Sequence, residues 1–355
     1  MTSRLVWRLS TFNMDKIHSD AEETWTARGN DSELCNLAPN TKVETASSLS
    51  NTQPAPENPF SDGAVDPQLD PQNPDFSIRA WLSNLTRFAL QHPLNSHLRF
   101  GVCFRNLSVS GSGSPTDYQK TVSNVFFSIP PFVRKWLGSS AGSRSRKIPI
   151  LHSFNGVVRN GEMLLVLGRP GSGCSTLLKT ISGDVHGLHI EIPHSHLNYQ
   201  GIGPQELRAQ FRGETIYMAE NDVHFPQLTV DETLSFAALA RTGDGIDIIP
   251  GLTRAAFAAG LKDVAMAAFG LLGVAGTNVG SDMVKGVSGG ERKRVSIAEA
   301  MLSGSALQCW DNSTRGLDSA NAVEFCRTLK VAAELAGATM LVALYQAPQA
   351  AYDVS

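Results

Sequence analysis

Nine consecutive residues carry the first chemical signal in this chain: Gly168, Arg169, Pro170, Gly171, Ser172, Gly173, Cys174, Ser175 and Thr176. Their spacing nearly fits the phosphate-binding pattern GxxxxGK[ST]. The glycines permit a tight turn, successive backbone N–H groups point inward, and the start of a following helix favours negative charge. Ser175 stands where a hydroxyl would coordinate Mg²⁺. One position departs from the pattern. Cys174 occupies the place of the lysine that reaches the β- and γ-phosphates, and a thiol brings neither positive charge nor a strong donor. Backbone binding of phosphate survives such a change, while charge stabilisation at a γ-phosphate suffers. A thiol at a helix N-terminus also sits where its pKa can fall, an effect that a bound triphosphate would oppose. Gly-rich strand–helix turns occur for structural reasons too, so this segment alone does not decide the chemistry.

Three downstream segments do. Gly286-Val287-Ser288-Gly289-Gly290-Glu291-Arg292-Lys293-Arg294 resembles the signature motif of ABC ATPases, usually LSGGQ, with Val287 for Leu and Glu291 for Gln. Ala306–Asn312 is an apolar strand ending in Asp311, like a Walker B. It runs into Gly316, Leu317, Asp318 and Ser319, which resemble the D-loop. With GRPGSGCSTLLKTISG, YMAENDVHFPQLTVDETLSFAA and LYQAPQAAYD, these stretches resemble the first nucleotide-binding domain of fungal pleiotropic drug resistance transporters, in the G subfamily of ABC proteins. The resemblance covers roughly Asp75 to Ser355.

That resemblance implies a RecA-like α/β P-loop core with a mostly parallel sheet and an inserted helical subdomain. It implies ATP and Mg²⁺ as ligands, with Ser175 and Asp311 as the two Mg²⁺ candidates. Four positions that serve hydrolysis in ABC sites are altered: Cys174 for Lys, Glu220 for Gln, Asn312 for Glu and Tyr345 for His. Asn312 cannot deprotonate water as a carboxylate can. Tyr345, with a hydroxyl pKa of about 10, cannot accept a proton near neutrality as imidazole can. Glu220 can still bind Mg²⁺ but adds negative charge. The set matches that of the family's N-terminal domain, so the expectation is a site that binds ATP and hydrolyses it poorly, with no intact catalytic residue in cis.

ABC domains dimerise head to tail, so Val287, Ser288, Gly289, Gly290 and Glu291 are expected to act in trans, on a second nucleotide-binding domain. Transmembrane domains are the other implied partners, at the cytoplasmic face of a membrane, the plasma membrane in the intact family. His224, Phe225 and Leu228 are candidates for contact with transmembrane coupling helices or for packing in the helical subdomain. The chain stops just after the switch position, and family members continue, so a fragment or truncated product is expected. The alternatives are a stand-alone soluble ATP-binding regulatory protein or a non-functional product. The transported substrate is not legible.

The elements that must position these residues follow from patterning. A strand feeding the glycine-rich loop and then a helix is a nucleotide-binding α/β unit. TIYMAE, Ala306–Trp310 and Thr339–Leu344 read as strands. Helical patterning covers Val230–Arg241, Ala255–Leu272, Glu291–Ser303 and Ala320–Leu335, the last closed by Gly337. Ile78, Trp81, Leu82, Leu85 and Phe88 share a helical face, with Asp75 as a candidate cap. Residues 1–74 read as a disordered leader, 75–355 as the ATP-binding domain, and approximately 220–303 as the helical subdomain. A Ser/Gly/Arg-rich linker is expected at 138–147.

The formal net charge of −3 argues against a nucleic-acid binder with a broadly basic surface. No stretch reaches the roughly 18 consecutive apolar residues that a membrane span needs. The five scattered cysteines lack CxxC spacing, which disfavours a disulfide framework or zinc site and suits a reducing compartment.

Overall fold

Every residue of Leu307–Asp311 (β8) and Thr339–Leu344 (β9) is buried in the computed structural model. Strands buried on both faces belong in the middle of a sheet covered by helices on both sides. The pleat divides β9 accordingly: Met340, Val342 and Leu344 join one apolar cluster, Leu341 and Ala343 the other. The structure describes residues 6–9, 58–60, 66–91, 101–113, 146–191, 195–242, 252–345, 350 and 352.

The central sheet runs β1 (Val6–Leu9), β4 (Met163–Gly168), β9, β8, β7 (Thr215–Met218), with every neighbouring pair parallel. On one face lies α7 (Ser319–Ala336), whose Phe325 and Leu329 pack in the cluster that holds Met340 and Val342. Trp310 of β8 meets Phe325 edge-on, with centroids 5.4 Å apart. On the other face α2 (Cys174–Ser182) buries Leu177, Leu178 and Ile181 against Leu164, Val166 and Leu341. Each such side chain contributes roughly 1.5–3 kcal/mol when fully buried, so the two faces clamp the strand ends that carry the site. α7 ends at Gly337, a left-handed cap at φ 72° whose N–H donates to the Ala333 carbonyl.

Three helices pack together beside this core: α4 (Val230–Arg241), α5 (Arg254–Ala268) and α6 (Gly289–Met301). Val230, Leu234, Met266 and Val295 supply their common apolar contact. α5 stops four residues short of the patterned Leu272, because the chain turns through Gly270 at φ 61°.

A second sheet is antiparallel. β2 (Val102–Gly113) pairs with β3 (Arg146–Val158), β5 (Leu188–Ile190) and β6 (His196–Asn198). The mostly parallel sheet expected of the core is the central one, and the antiparallel sheet stands beside it. Between β6 and β7 lies the short α3 (Pro204–Gln210). α1 (Ile78–Gln91) carries the expected apolar face, with Trp81 and Phe88 buried. Its cap is Ser77 rather than Asp75: Ser77 Oγ accepts from the Ala80 N–H at 3.4 Å.

Most of the expected leader and linker lies outside the described residues. Within 1–74, Val6–Leu9 forms the edge strand β1, and residues 66–74 form turns that bury Leu69 near Trp81. Arg146 and Lys147 belong to β3.

Candidate functional site

The glycine-rich loop leaves β4 at Gly168 and enters α2 at Cys174. A turn closes it, with the Ser172 N–H donating to the Arg169 carbonyl at 3.0 Å. Gly173 adopts φ 95°, and a Cβ there would lie 2.9 Å from Leu151 Cδ2, so the position requires glycine on both counts. The first N–H groups of α2 have no intrahelical partners. They are the donors this loop can offer to a phosphate.

Cys174 is 1 % exposed and packs in the apolar cluster under the loop. Its Sγ lies 3.4 Å from Ser172 Oγ. Burial raises the thiol's pKa above its ordinary value, Asp311 acts in the same direction, and the Ser172 contact opposes them. The lowered pKa that a helix N-terminus suggests is therefore overturned by desolvation. The thiol stays neutral.

β8 delivers Asp311 to the opposite wall. Its Oδ2 accepts from the Tyr217 hydroxyl at 2.7 Å. Burial and the neighbouring carboxylate push the Tyr217 pKa far up, so the phenol remains a donor. Asp311 Oδ1 is buried and has no hydrogen-bond partner. Ser175 Oγ lies 3.2 Å from the Tyr345 hydroxyl. A carboxylate oxygen with free lone pairs and a serine hydroxyl are hard donors that suit Mg²⁺. Among the described residues no group of three or more His, Cys, Asp or Glu could hold a metal. A cation here would rest on few protein ligands, an arrangement Mg²⁺ accepts when water and phosphate complete its shell.

A cleft of about 810 Å³ opens beside the loop at Pro170, lined also by Glu220, Asn312, Arg315, Leu317 and Tyr345 among others. Gly316 and Ser319 also line it, while Asp318 is exposed and caps the start of α7 through its backbone. Asn312 sits at φ 48°, a left-handed conformation that Asn tolerates better than most side chains. Its Nδ2 donates to Glu220 Oε1 at 3.0 Å, and Arg315 Nη1 donates to the same oxygen. Tyr345 lies where Asp311, Cys174 and Glu220 all influence its hydroxyl, whose pKa rises chiefly through burial. Thus Glu220, Asn312 and Tyr345 line one cleft, and Cys174 is buried near enough to act on the Tyr345 hydroxyl. Arg315 lies in the stretch Ser313–Ser319 that resembles the D-loop, but its pairing with Glu220, 95 positions away, has no signal in that motif.

The signature segment stands elsewhere. None of Val287, Ser288, Gly289, Gly290 or Glu291 lines the cleft. Gly286 crosses close to another strand of chain, where a Cβ would fall 2.5 Å from the Asn278 carbonyl oxygen. Val287 half-buries against the core, while Ser288 and Gly289 are exposed. Ser288 caps α6: its Oγ accepts from the Glu291 N–H at 3.3 Å, and Glu291 Oε2 accepts from the Ser288 N–H at 2.8 Å. This reciprocal pair is a capping box. The bond from Ser288 lowers the Glu291 pKa. The Ser288 hydroxyl proton stays available at the positive end of a helix of 13 residues.

A buried ion pair links the two ends. Lys293, 2 % exposed, donates to the Glu220 carbonyl at 2.8 Å and to Asp222 Oδ1 at 3.1 Å. Ser296 Oγ donates to Asp222 at 2.7 Å and hydrogen bonds with His224 Nε2 at 2.7 Å. Burial lowers the His224 pKa. The His224 side chain, 4 % exposed, is held inside the protein, whereas Phe225 is 75 % exposed.

Comparison with known proteins gives two family matches: the ABC-transporter N-terminal domain over residues 36–125 and the ABC transporter domain over residues 151–315. The chain is 56 % identical over 299 residues to ABC multidrug transporter C of Aspergillus fumigatus, covering 84 % of this chain and 20 % of that protein. It is 50 % identical over 349 residues to ABC multidrug transporter atrG of Aspergillus oryzae, covering 98 % and 23 %. To ABC-type transporter eriD of Hericium erinaceus it is 51 % identical over 326 residues, covering 91 % and 22 %. The chain spans about a fifth of the length of these relatives. Among the described residues no helix is long and apolar enough to cross a membrane.

Proposed function

The chain belongs to the ABC transporter family, as an ATP-binding domain, and on that premise we propose that its own cleft binds MgATP and holds it with little turnover. In this reading the exposed signature end completes a second, competent site on a partner nucleotide-binding domain. The observation that carries it is the hydrogen bond from Asn312 to Glu220. An amide stands next to the Walker-B-like Asp311, and the Glu220 carboxylate is engaged by that amide and by Arg315. With Asp311 given to Mg²⁺, Glu220 engaged and no lysine at position 174, the cleft lacks general-base help and the usual charge stabilisation at the γ-phosphate.

The N–H groups at the start of α2 would bind phosphate, and Ser175 with Asp311 would hold Mg²⁺. When bound, that ion neutralises phosphate charge. Tyr345, a hydroxyl donor with a raised pKa, can orient a phosphate oxygen but not accept a proton. In trans, the Ser288 hydroxyl and the N–H groups at the start of α6 suit a γ-phosphate on the partner.

By this reading the domain works at the cytoplasmic face of a membrane, with transmembrane domains and a second nucleotide-binding domain, in a drug-efflux transporter. The relatives' designation as multidrug transporters supports that assignment. The test is the ATPase rate of the full transporter. Ser288→Arg lowers it by at least about 100-fold, the scale of losing a phosphate-stabilising donor. Asn312→Ala lowers it less than about threefold, since no base is lost. The reverse ranking contradicts the proposal.

A further inference from the structure

We infer that Arg315 is the charge-balancing residue of the phosphate cleft: it neutralises Glu220, so that a triphosphate can enter a site whose loop has no lysine. This rests on the reading of the cleft as an ATP site. Of the residues lining the cleft only Glu220 and Arg315 are charged, and Asp311 adds a buried carboxylate behind them. Cys174 contributes no positive charge, since a thiol is neutral or anionic, and here it is buried. Without Arg315, the lining would present the Glu220 carboxylate and no side-chain cation of its own, since Arg169 of the loop does not line the cleft and Asp311 is the Mg²⁺ candidate. Like charges a few ångströms apart repel by several-fold in affinity even at high effective dielectric.

The arrangement is prebuilt. The Arg315 N–H donates to the Asn312 carbonyl at 3.0 Å, a turn that places both side chains on the same side. Asn312 Nδ2 and Arg315 Nη1 then converge on one oxygen of Glu220. The Arg315 side chain is 68 % exposed and that of Glu220 31 %. An ion pair this open contributes little to folding, so its effect is expected in ligand affinity. Glu220 is also fixed from behind, through the bond of its carbonyl to Lys293. It therefore cannot relieve repulsion by withdrawing its backbone while Lys293 holds it.

The test is MgATP and MgADP binding to the full 355-residue chain, measured by titration calorimetry at low and high KCl. Arg315→Ala is expected to weaken MgATP about tenfold at low salt and MgADP less, because the extra phosphate carries more charge. Arg315→Lys restores most of the affinity. Glu220→Gln tightens MgATP several-fold, and the double variant Glu220→Gln/Arg315→Ala binds within about threefold of the unaltered chain. High salt compresses all these differences. An Arg315→Ala variant that binds as the unaltered chain does overturns the inference. So does a double variant as weak as Arg315→Ala, which would make Arg315 a direct nucleotide contact. Should Arg315→Ala fail to fold, Glu220→Gln decides: unchanged or weakened MgATP binding overturns the inference. An unaltered chain that binds no MgATP overturns the ATP reading itself, and the inference falls with it.

Discussion

The helix starts of α6 and α2 stand in opposite condition. At the start of α6, Ser288 and Glu291 close a complete capping box, the N–H donors are exposed, and the helix dipole points outward. At the start of α2, the helix also has a positive end, but no side chain caps it and the side chains around it depart from the usual motif. Cys174 is sealed in the core, Asn312 is an amide, and Glu220 is bonded to Arg315. In the proposed reading, backbone donors serve phosphate at both ends while the side chains suit turnover at only one. Binding rests on backbone donors, whereas turnover rests on side chains. The contrast therefore separates holding a nucleotide from breaking it.

The largest expected effect falls on the link between the two ends. Lys293→Met leaves Asp222 without its cation and the Glu220 carbonyl without its donor. Breaking a buried pair costs about 3–5 kcal/mol, to be read by urea denaturation of the chain. Arg327→Ala, which removes a pair whose side chains are 60 % and 59 % exposed, costs less than about 1 kcal/mol. Equal costs would mean that the two ends are not held together by Lys293. Next comes Ser288→Arg, with the hundredfold loss of ATPase activity given above.

Asn312→Glu is expected to weaken MgATP about tenfold rather than restore turnover, because it sets a second carboxylate against Glu220. Adding Glu220→Gln removes that clash, and binding recovers. Recovered hydrolysis in the single variant would break the contrast at its weaker end.

The smallest effect concerns Glu291. Its pKa is lowered in the folded state, so its contribution is present above the unfolded value and lost as pH falls through the folded one. Thermal stability should decline slightly more below about pH 4.5 in the unaltered chain than in Glu291→Gln, which keeps an acceptor for the Ser288 N–H. Identical acid profiles would remove the charge from the cap.

Much of this was legible in local pattern. Val230–Arg241 and Thr339–Leu344 read from sequence with the ends they have in the structure, since one carries capped helical periodicity and the other is an uninterrupted apolar run. The glycine loop and the signature read as motifs. The spacing Ser288-x-x-Glu291 also spells a capping box, a signal available in the sequence and not used. What stayed hidden depends on distant pairing. β5 and β6 are three residues each and exist only against β2. Glu220 meets Arg315 across 95 positions and Lys293 across 73. The orientation of Cys174 into the core, which decides its protonation, follows from packing under Leu151 and Leu178 and not from its place at a helix start.

The central claim is that this cleft holds MgATP without cleaving it. The direct measurement uses the full transporter, photolabelled at this domain with an azido-ATP carrying label at either the α- or the γ-phosphate. After incubation through many turnovers of the partner site, the account predicts equal retention of both labels on peptides around Gly168–Thr176. Retained α-label with lost γ-label would mean that the cleft hydrolyses its nucleotide, and would contradict the account.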